Sequence, residues 1–339
     1  MNFILTTKCN KGCPYCFAEF YREEANGEDM DMSFGTFIKF LDKTPRDKNG
    51  VQHVKLLGGE PTLHKDFIKM CDELINRKIA FTLISNFLFK EEIKKYIIHI
   101  IKTGVPISFL INSTNLDENE KNLEKFIVNY SEIYKELYIR DLEDKMSCGF
   151  TLENDKSAEH YTAYYDMLID KVMKIERLRL SLPFPGDEKD KGDFWFINNH
   201  EIGDKFLKIT KKAIDKGSTV SLDCIIYPCM FGNKEKYKFM KKFTTSIRHT
   251  CGDSAPADIF PNEQISFCYP TKDLISIDTN KHDNLATAVG EMVKKYKVIE
   301  STVKKPEECL ECSFYKKRIC KGPCLGFYNL KDETLGLNL

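Results

Sequence analysis

Cys9-Asn10-Lys11-Gly12-Cys13-Pro14-Tyr15-Cys16 places three thiols on one short loop, directly after a run, Phe3 to Thr6, whose composition predicts a strand. Thiolates at this spacing suit a soft metal ion or an iron-sulfur cluster. A 4Fe-4S cluster takes four ligands, so three protein thiolates would leave one iron open to an outside chelator, as catalytic metals keep an open position. A zinc knuckle is the rival reading. Gly12 and Pro14 suit the tight loop that either would need.

A second segment that could do chemistry is Leu57-Gly58-Gly59-Glu60-Pro61-Thr62-Leu63. Paired glycines let a backbone approach a ligand closely and present its N–H and C=O groups. Taken alone, the segment reads better as an ordinary strand-to-helix turn.

The third is a C-terminal array. Of the 13 cysteines, three lie between positions 9 and 16 and eight between 224 and 324, leaving Cys71 and Cys148 alone. Isolated cysteines are most often small buried hydrophobes. The array runs Cys224, Cys229, Cys251, Cys268, Cys309, Cys312, Cys320, Cys324. Its last four form CX2CX7CX3C, which could be a zinc ribbon or part of an iron-sulfur site, since four sulfur ligands suit both.

Composition bounds what these thiols serve. The 339 residues carry 51 Lys plus Arg against 51 Asp plus Glu, and 42% are hydrophobic. No global field recruits nucleic acid or an anionic membrane, and the composition is that of a folded chain. No apolar run reaches eighteen residues, and the N-terminus has no secretory signal, so a cytoplasmic location is expected. In a reducing compartment an odd, clustered set of cysteines points to metal binding rather than disulfides.

The elements that must position the motifs follow from periodicity. Strands are expected at Phe3 to Thr6, His53 to Leu57, Phe81 to Ser85, Ile107 to Asn112, Cys148 to Leu152 and Leu178 to Pro183. Amphipathic helical stretches separate them, including one around Phe67, Cys71 and Leu74 and others at Lys90 to Lys102, Asn119 to Leu137, Ala158 to Ile175 and Glu201 to Lys216. Six strand-helix units close only part of an eight-unit barrel and leave a side open; a doubly wound sheet is the alternative. Either way, ligands gather at the carboxyl ends of the strands, where the motifs fall. The charged segment Pro185 to Asp193 reads as a loop, and Phe194-Trp195-Phe196 as a packing cluster. From about Ser218 the rhythm fades into short, proline-broken segments.

CX3CX2C after the first strand with GGEP after the second resembles the radical S-adenosylmethionine (SAM) enzymes over about residues 1–216. The resemblance implies a partial (β/α)6 TIM-like barrel over residues 1–216, followed by a small cysteine-rich iron-sulfur domain over 217–339. It implies a 4Fe-4S cluster on Cys9, Cys13 and Cys16, with SAM chelating the open iron and cleaved to a 5'-deoxyadenosyl radical. By the same resemblance the SAM contacts are Tyr15, Gly58, Gly59, Glu60, Pro61, Ser85, Asn86, Asn112, Ser113 and Leu182.

The C-terminal array resembles the SPASM extension of these enzymes, which carries auxiliary 4Fe-4S clusters. It departs from that pattern in three ways: Glu263 stands where a glycine is expected, no cysteine follows Cys324, and the Cys312 to Cys320 spacing is long. Analogy groups Cys229, Cys251, Cys268 and Cys324 in one cluster and Cys309, Cys312 and Cys320 in part of another, with Cys224 unassigned. The implied activity is hydrogen-atom abstraction from a peptide or protein, leading to oxidation or crosslinking, with a flavodoxin or ferredoxin as reductant. No leader-recognition domain fits ahead of Cys9, so such a peptide would dock in trans or at the open barrel side. That raises a second reading, a radical SAM enzyme acting on a small metabolite. A third, of another class, is an iron-sulfur or zinc-stabilised electron-transfer or binding module without SAM chemistry. No acid or base is assignable; Asp223, Glu153 and Tyr227 stand out only by position, and the seven histidines show no ligand spacing.

Overall fold

The computed structural model describes residues 1–16, 18, 30–46, 52–113, 118–172, 174–184, 192–224, 226–245, 247 and 257–329. Strands β1 (Asn2–Ile4), β2 (His53–Leu57), β3 (Ala80–Ser85), β4 (Ile107–Asn112), β5 (Met146–Thr151), β6 (Arg177–Ser181) and β7 (Thr219–Leu222) lie side by side in chain order. All six neighbouring pairs are parallel. Helices α1 (Phe34–Lys43), α2 (Phe67–Asn76), α3 (Glu91–Thr103), α4 (Glu120–Tyr138), α5 (Ala158–Val172) and α6 (His200–Asp215) fill the crossovers. This is the expected partial (β/α)6 barrel, open along one side, with one further strand.

Local chemistry explains the elements. Ser33, Asn119 and Asn199 cap α1, α4 and α6 through their side-chain oxygens. Helix α3 starts on Glu91 and Glu92 and ends at Gly104, whose φ of 76° is the left-handed conformation that glycine adopts without strain. Along the strands one face is apolar: Val54, Leu56, Phe81, Leu83, Phe109, Ile111, Cys148, Leu178 and Leu180 are buried in the core. Cys71 belongs to the same core, so both isolated cysteines are the buried hydrophobes expected of them.

The C-terminal third does more than the sequence suggests. Strand β8 (Asp258–Ile259) pairs in parallel with β1, and antiparallel β9 (Gln264–Ser266) and β10 (Ile277–Asp278) extend that edge to a ten-stranded sheet. Helix α7 (Lys234–Phe243) follows β7, and α8 (Leu285–Thr302) packs on β9 and β10. Two short helices, α9 (Glu307–Glu311) and α10 (Ser313–Lys316), carry the final cysteine segment. The expected loop at Pro185 to Asp193 lies outside the described residues apart from Gly192 and Asp193. Among the described residues, no helix is long and apolar enough to cross a membrane.

Asp258 accepts a 2.6 Å hydrogen bond from Asn2 where β8 meets β1. Burial pushes its carboxyl up from 3.8 to about 7, against the opposing pull of the Asn2 bond and Lys55. The folded state therefore holds this proton more tightly than the unfolded one, and stability falls as pH rises from 3.8 to about 7. Asp258→Asn is expected to flatten that part of the stability profile, measured by urea unfolding across the window.

Candidate functional site

The cysteine loop leaves the carboxyl end of β1 and is held by backbone. Gly59 N–H donates to Thr6 O at 2.8 Å and Glu60 N–H to Lys8 O at 2.7 Å. A Cβ on Gly58 would lie 2.2 Å from Thr6 O, and one on Gly59 would lie 2.2 Å from Lys8 O. Both glycines are therefore required by close approach of two backbones.

Glu60 is fully buried, and its carboxylate is a junction. It accepts hydrogen bonds from Thr62 Oγ1 (2.6 Å), Ser85 Oγ (3.0 Å) and Asn86 N–H (2.8 Å). Burial pushes its pKa up while these donors oppose the shift. Asn86 carries the network onward, its Nδ2 donating to Asn10 Oδ1 at 2.8 Å and lying 3.9 Å from Cys9 Sγ. Asn10 Nδ2 in turn donates to Leu88 O. The ends of β2 and β3 are thereby fastened to the cysteine loop, and Lys11 ties its other side to Glu118 at 3.2 Å.

Burial pushes the Cys13 thiol up to about 11, with Cys16 and Cys9 raising it further while Lys11 and a Tyr15 hydrogen bond pull it down. A half-buried pocket that disfavours bare thiolates fits a cationic cluster, which would deprotonate and neutralise them. Tyr15 and Ser113 line a small cavity of about 10 Å³ with Thr151, Glu153 and Tyr161, so these two expected contacts meet at one place. Ser113 also donates to Gly149 O at 2.9 Å. Asn112 instead accepts from Arg179 Nη2 at 2.7 Å, and Arg179 Nη1 pairs with Asp223 at 2.7 Å. Pro61 and Leu182 are buried, Pro61 opening the short turn after Glu60.

The C-terminal thiols form a second place. Cys229, Cys309, Cys312 and Cys320 line one cavity of about 20 Å³. Burial pushes Cys309 up to about 12 and Cys320 to about 11, with the neighbouring cysteines adding to both shifts. Gly322 N–H points at Cys320 Sγ, 3.4 Å away. Cys229, which analogy grouped with Cys251, Cys268 and Cys324, thus stands with the other set. Its position comes from the aromatic residues beside it. Phe196 stacks on Tyr227 at 4.3 Å and meets Phe327 at 4.6 Å, while Tyr227 Oη accepts from Cys324 N–H. Phe194 to Phe196 is the expected packing cluster, and it welds the Cys229 and Cys324 segments together.

Cys268 and Cys324 precede two short turns, Tyr269–Thr271 and Leu325–Phe327, that pack on each other. Cys224 is exposed, and Cys251 lies outside the described residues. Among the described residues, no three His, Cys, Asp or Glu side chains converge on a point fit for a single ion. A four-iron cube spreads its thiolates over a wider span than one tetrahedral ion.

Residues 3–133 match the family model "Radical SAM superfamily". A GTP 3',8-cyclase of Haemophilus influenzae (strain 86-028NP) is 35% identical over 87 residues, which is 24% of this chain and 25% of the cyclase. An S-adenosylmethionine-dependent nucleotide dehydratase of Selenomonas ruminantium is 29% identical over 86 residues, 25% of this chain and 29% of that protein. The chain thus aligns with only about a quarter of the length of each. Among solved structures, Streptococcus suis SuiB bound to S-adenosylmethionine superposes with a TM-score of 0.64 at 19% identity, covering 99% of this chain and 76% of SuiB. SuiB bound to the precursor peptide SuiA gives 0.64 at 18% identity, with 99% and 75% covered. At that identity the likeness is one of fold.

Glu60→Gln would turn an amide NH2 toward one of the donors that the carboxylate now satisfies. It is expected to destabilise the fold by about 2 kcal/mol, read by urea unfolding.

Proposed function

We propose, from the premise that residues 3–133 are a radical SAM domain, that the chain reductively cleaves S-adenosylmethionine and abstracts a hydrogen atom from its substrate. The observation that carries this reading is the fastening of the three-cysteine loop to the GGE turn and to Asn86 at one end of the sheet. When bound, a 4Fe-4S cluster would supply the electron for cleavage of SAM to methionine and a 5'-deoxyadenosyl radical. Cys9, Cys13 and Cys16 would hold that cluster. Backbone groups at Gly58, Gly59, Glu60 and Pro61 flank the loop, so they would receive the methionyl end of SAM. Ser85 and Asn86 keep that turn in place through Glu60. Tyr15 and Ser113, facing one cavity, would meet the nucleoside end; Asn112 and Leu182 are assigned only by their place at the strand ends.

In the C-terminal region, from about residue 217, Cys229, Cys309, Cys312 and Cys320 would hold one auxiliary 4Fe-4S cluster. Cys251, Cys268 and Cys324 would hold a second. We assign a peptide or protein as substrate, oxidised or crosslinked, with a flavodoxin or ferredoxin as electron donor; support comes from a fold shared along nearly the whole chain with a protein solved with a precursor peptide. The second reading, a small metabolite, is favoured by a cavity of about 550 Å³ on the sheet, lined by Lys55, Thr82, Ser108, Leu110, Arg177 and Arg179 among others, and accords with relatives named as a GTP cyclase and a nucleotide dehydratase.

The test is anaerobic purification, iron and sulfide analysis, and incubation of the reduced protein with SAM. The expected result is 5'-deoxyadenosine formation and about eight to twelve irons per chain. Replacing Cys9, Cys13 and Cys16 together by Ala should abolish cleavage and remove about four of those irons. Zinc in place of iron, with no cleavage after reconstitution, would overturn the reading in favour of a metal-stapled binding module.

A further inference from the structure

Two buried polar groups beside the C-terminal thiols have no hydrogen-bond partner among the described residues: Nζ of Lys305 and Oη of Tyr328. A buried donor without an acceptor costs stability, so each such group calls for an explanation. These two are neighbours, the Lys305 ammonium lying 5.6 Å from the centre of the Tyr328 ring.

Lys305 reaches the thiols beside Gly322. That glycine has a φ of 85°, and a Cβ on it would stand 3.3 Å from Lys305 Cδ and 3.9 Å from Cys309 Sγ. The lysine stem and the thiol therefore share the space next to a residue that must lack a side chain. Tyr328 follows Cys324 by four residues and is buried, its ring met edge-on by Phe194 at 4.9 Å. Both groups are thus held by packing close to the segment that carries Cys320 and Cys324.

Electrostatics join the same groups. Burial lowers the pKa of Lys305, while Glu300, Cys309, Cys320 and Cys324 oppose that shift. Lys305 is in turn among the groups that pull the Cys320 thiol down against its burial. The acids nearby do not answer this charge: Glu300 pairs with Lys321 at 3.2 Å, and Glu308, on the lining of the thiol cavity, is exposed. A buried ammonium is costly unless an anion compensates it. Four thiolates around a 4Fe-4S core make an anionic assembly, and positive charge or hydrogen-bond donors beside it stabilise its reduced, more negative state most.

We propose that Lys305 and Tyr328 raise the reduction potential of the auxiliary cluster at Cys229, Cys309, Cys312 and Cys320, the ammonium as a positive charge and the hydroxyl as a hydrogen-bond donor. The inference rests on the assignment of a 4Fe-4S cluster to those four cysteines. The Gly322 N–H directed at Cys320 Sγ adds a third donor to the set.

The test is a redox titration followed by electron paramagnetic resonance. It uses the full chain with Cys9, Cys13 and Cys16 replaced together by Ala, so that iron is confined to the C-terminal thiols. Lys305→Met is expected to shift the reduction equilibrium of a C-terminal cluster about tenfold toward the oxidised form, which for a one-electron couple lowers the potential by about 59 mV. Lys305→Arg, which keeps the charge, should hold the parent potential. Tyr328→Phe, which keeps the ring against Phe194, should lower it by less than Lys305→Met does. An unchanged potential at parental iron content in both Lys305→Met and Tyr328→Phe overturns the inference, and Tyr328→Phe alone decides if Lys305→Met loses iron. In a wild type that cleaves SAM, C-terminal thiols without iron also overturn the inference and leave the SAM chemistry standing. Shifted potentials with no SAM cleavage by the wild type leave the inference standing and remove that chemistry.

Discussion

Everything at the cysteine end of the molecule depends on two backbones passing closer than any side chain would allow. Gly58 and Gly59 lie against Thr6 and Lys8 so tightly that a single methyl group on either would collide with a carbonyl oxygen. That contact sets the position of the residue before Cys9. The carboxylate of Glu60 then fixes the angle of approach, because a fully buried acid must be surrounded by donors, and those donors are supplied by its own turn and the end of β3. A loop with three half-buried thiols needs such an external clamp, since it has little secondary structure of its own.

The C-terminal region solves a similar problem by different means. Its thiols are set by aromatic packing, with Phe196, Tyr227 and Phe327 bringing chain segments distant in sequence around one cavity. The region is also continuous with the barrel. Its β8 strand borders β1, and Tyr269, directly after Cys268, packs with Ile4 and Phe260 beside Cys16. The two thiol sites therefore share a scaffold in which the strand leading to one abuts the segment leading to the other.

Much of this was legible in the sequence. Alternating apolar residues located β2 to β6 within a residue or two, because each of those strands buries one face against helices. Strand β7 was missed because its four residues follow the Lys216-Gly217 stop with only Val220 and Leu222 as apolar signal. The C-terminal strands are two or three residues long and exist by pairing, β8 with β1, β9 with β8 and β10 with β9, which no local pattern reveals. Glu60 was noticed for its motif, but a charged residue gives no hint of complete burial. The grouping of Cys229 was invisible because it depends on a ring stack between distant segments. Lys55, Ser147, Arg177 and Arg179 line one cavity of about 550 Å³, a grouping across three strands that no local pattern reveals.

The central claim is that two separate sets of thiols each hold an iron-sulfur cluster, one on the clamped loop and one in the aromatic-walled cavity. Diffraction from crystals of the anaerobically reconstituted protein, recorded at and below the iron absorption edge, tests it most directly. The account predicts iron density among Cys9, Cys13 and Cys16, and separately among Cys229, Cys309, Cys312 and Cys320. Absence of iron at the first set, or a zinc edge signal in its place, would contradict it.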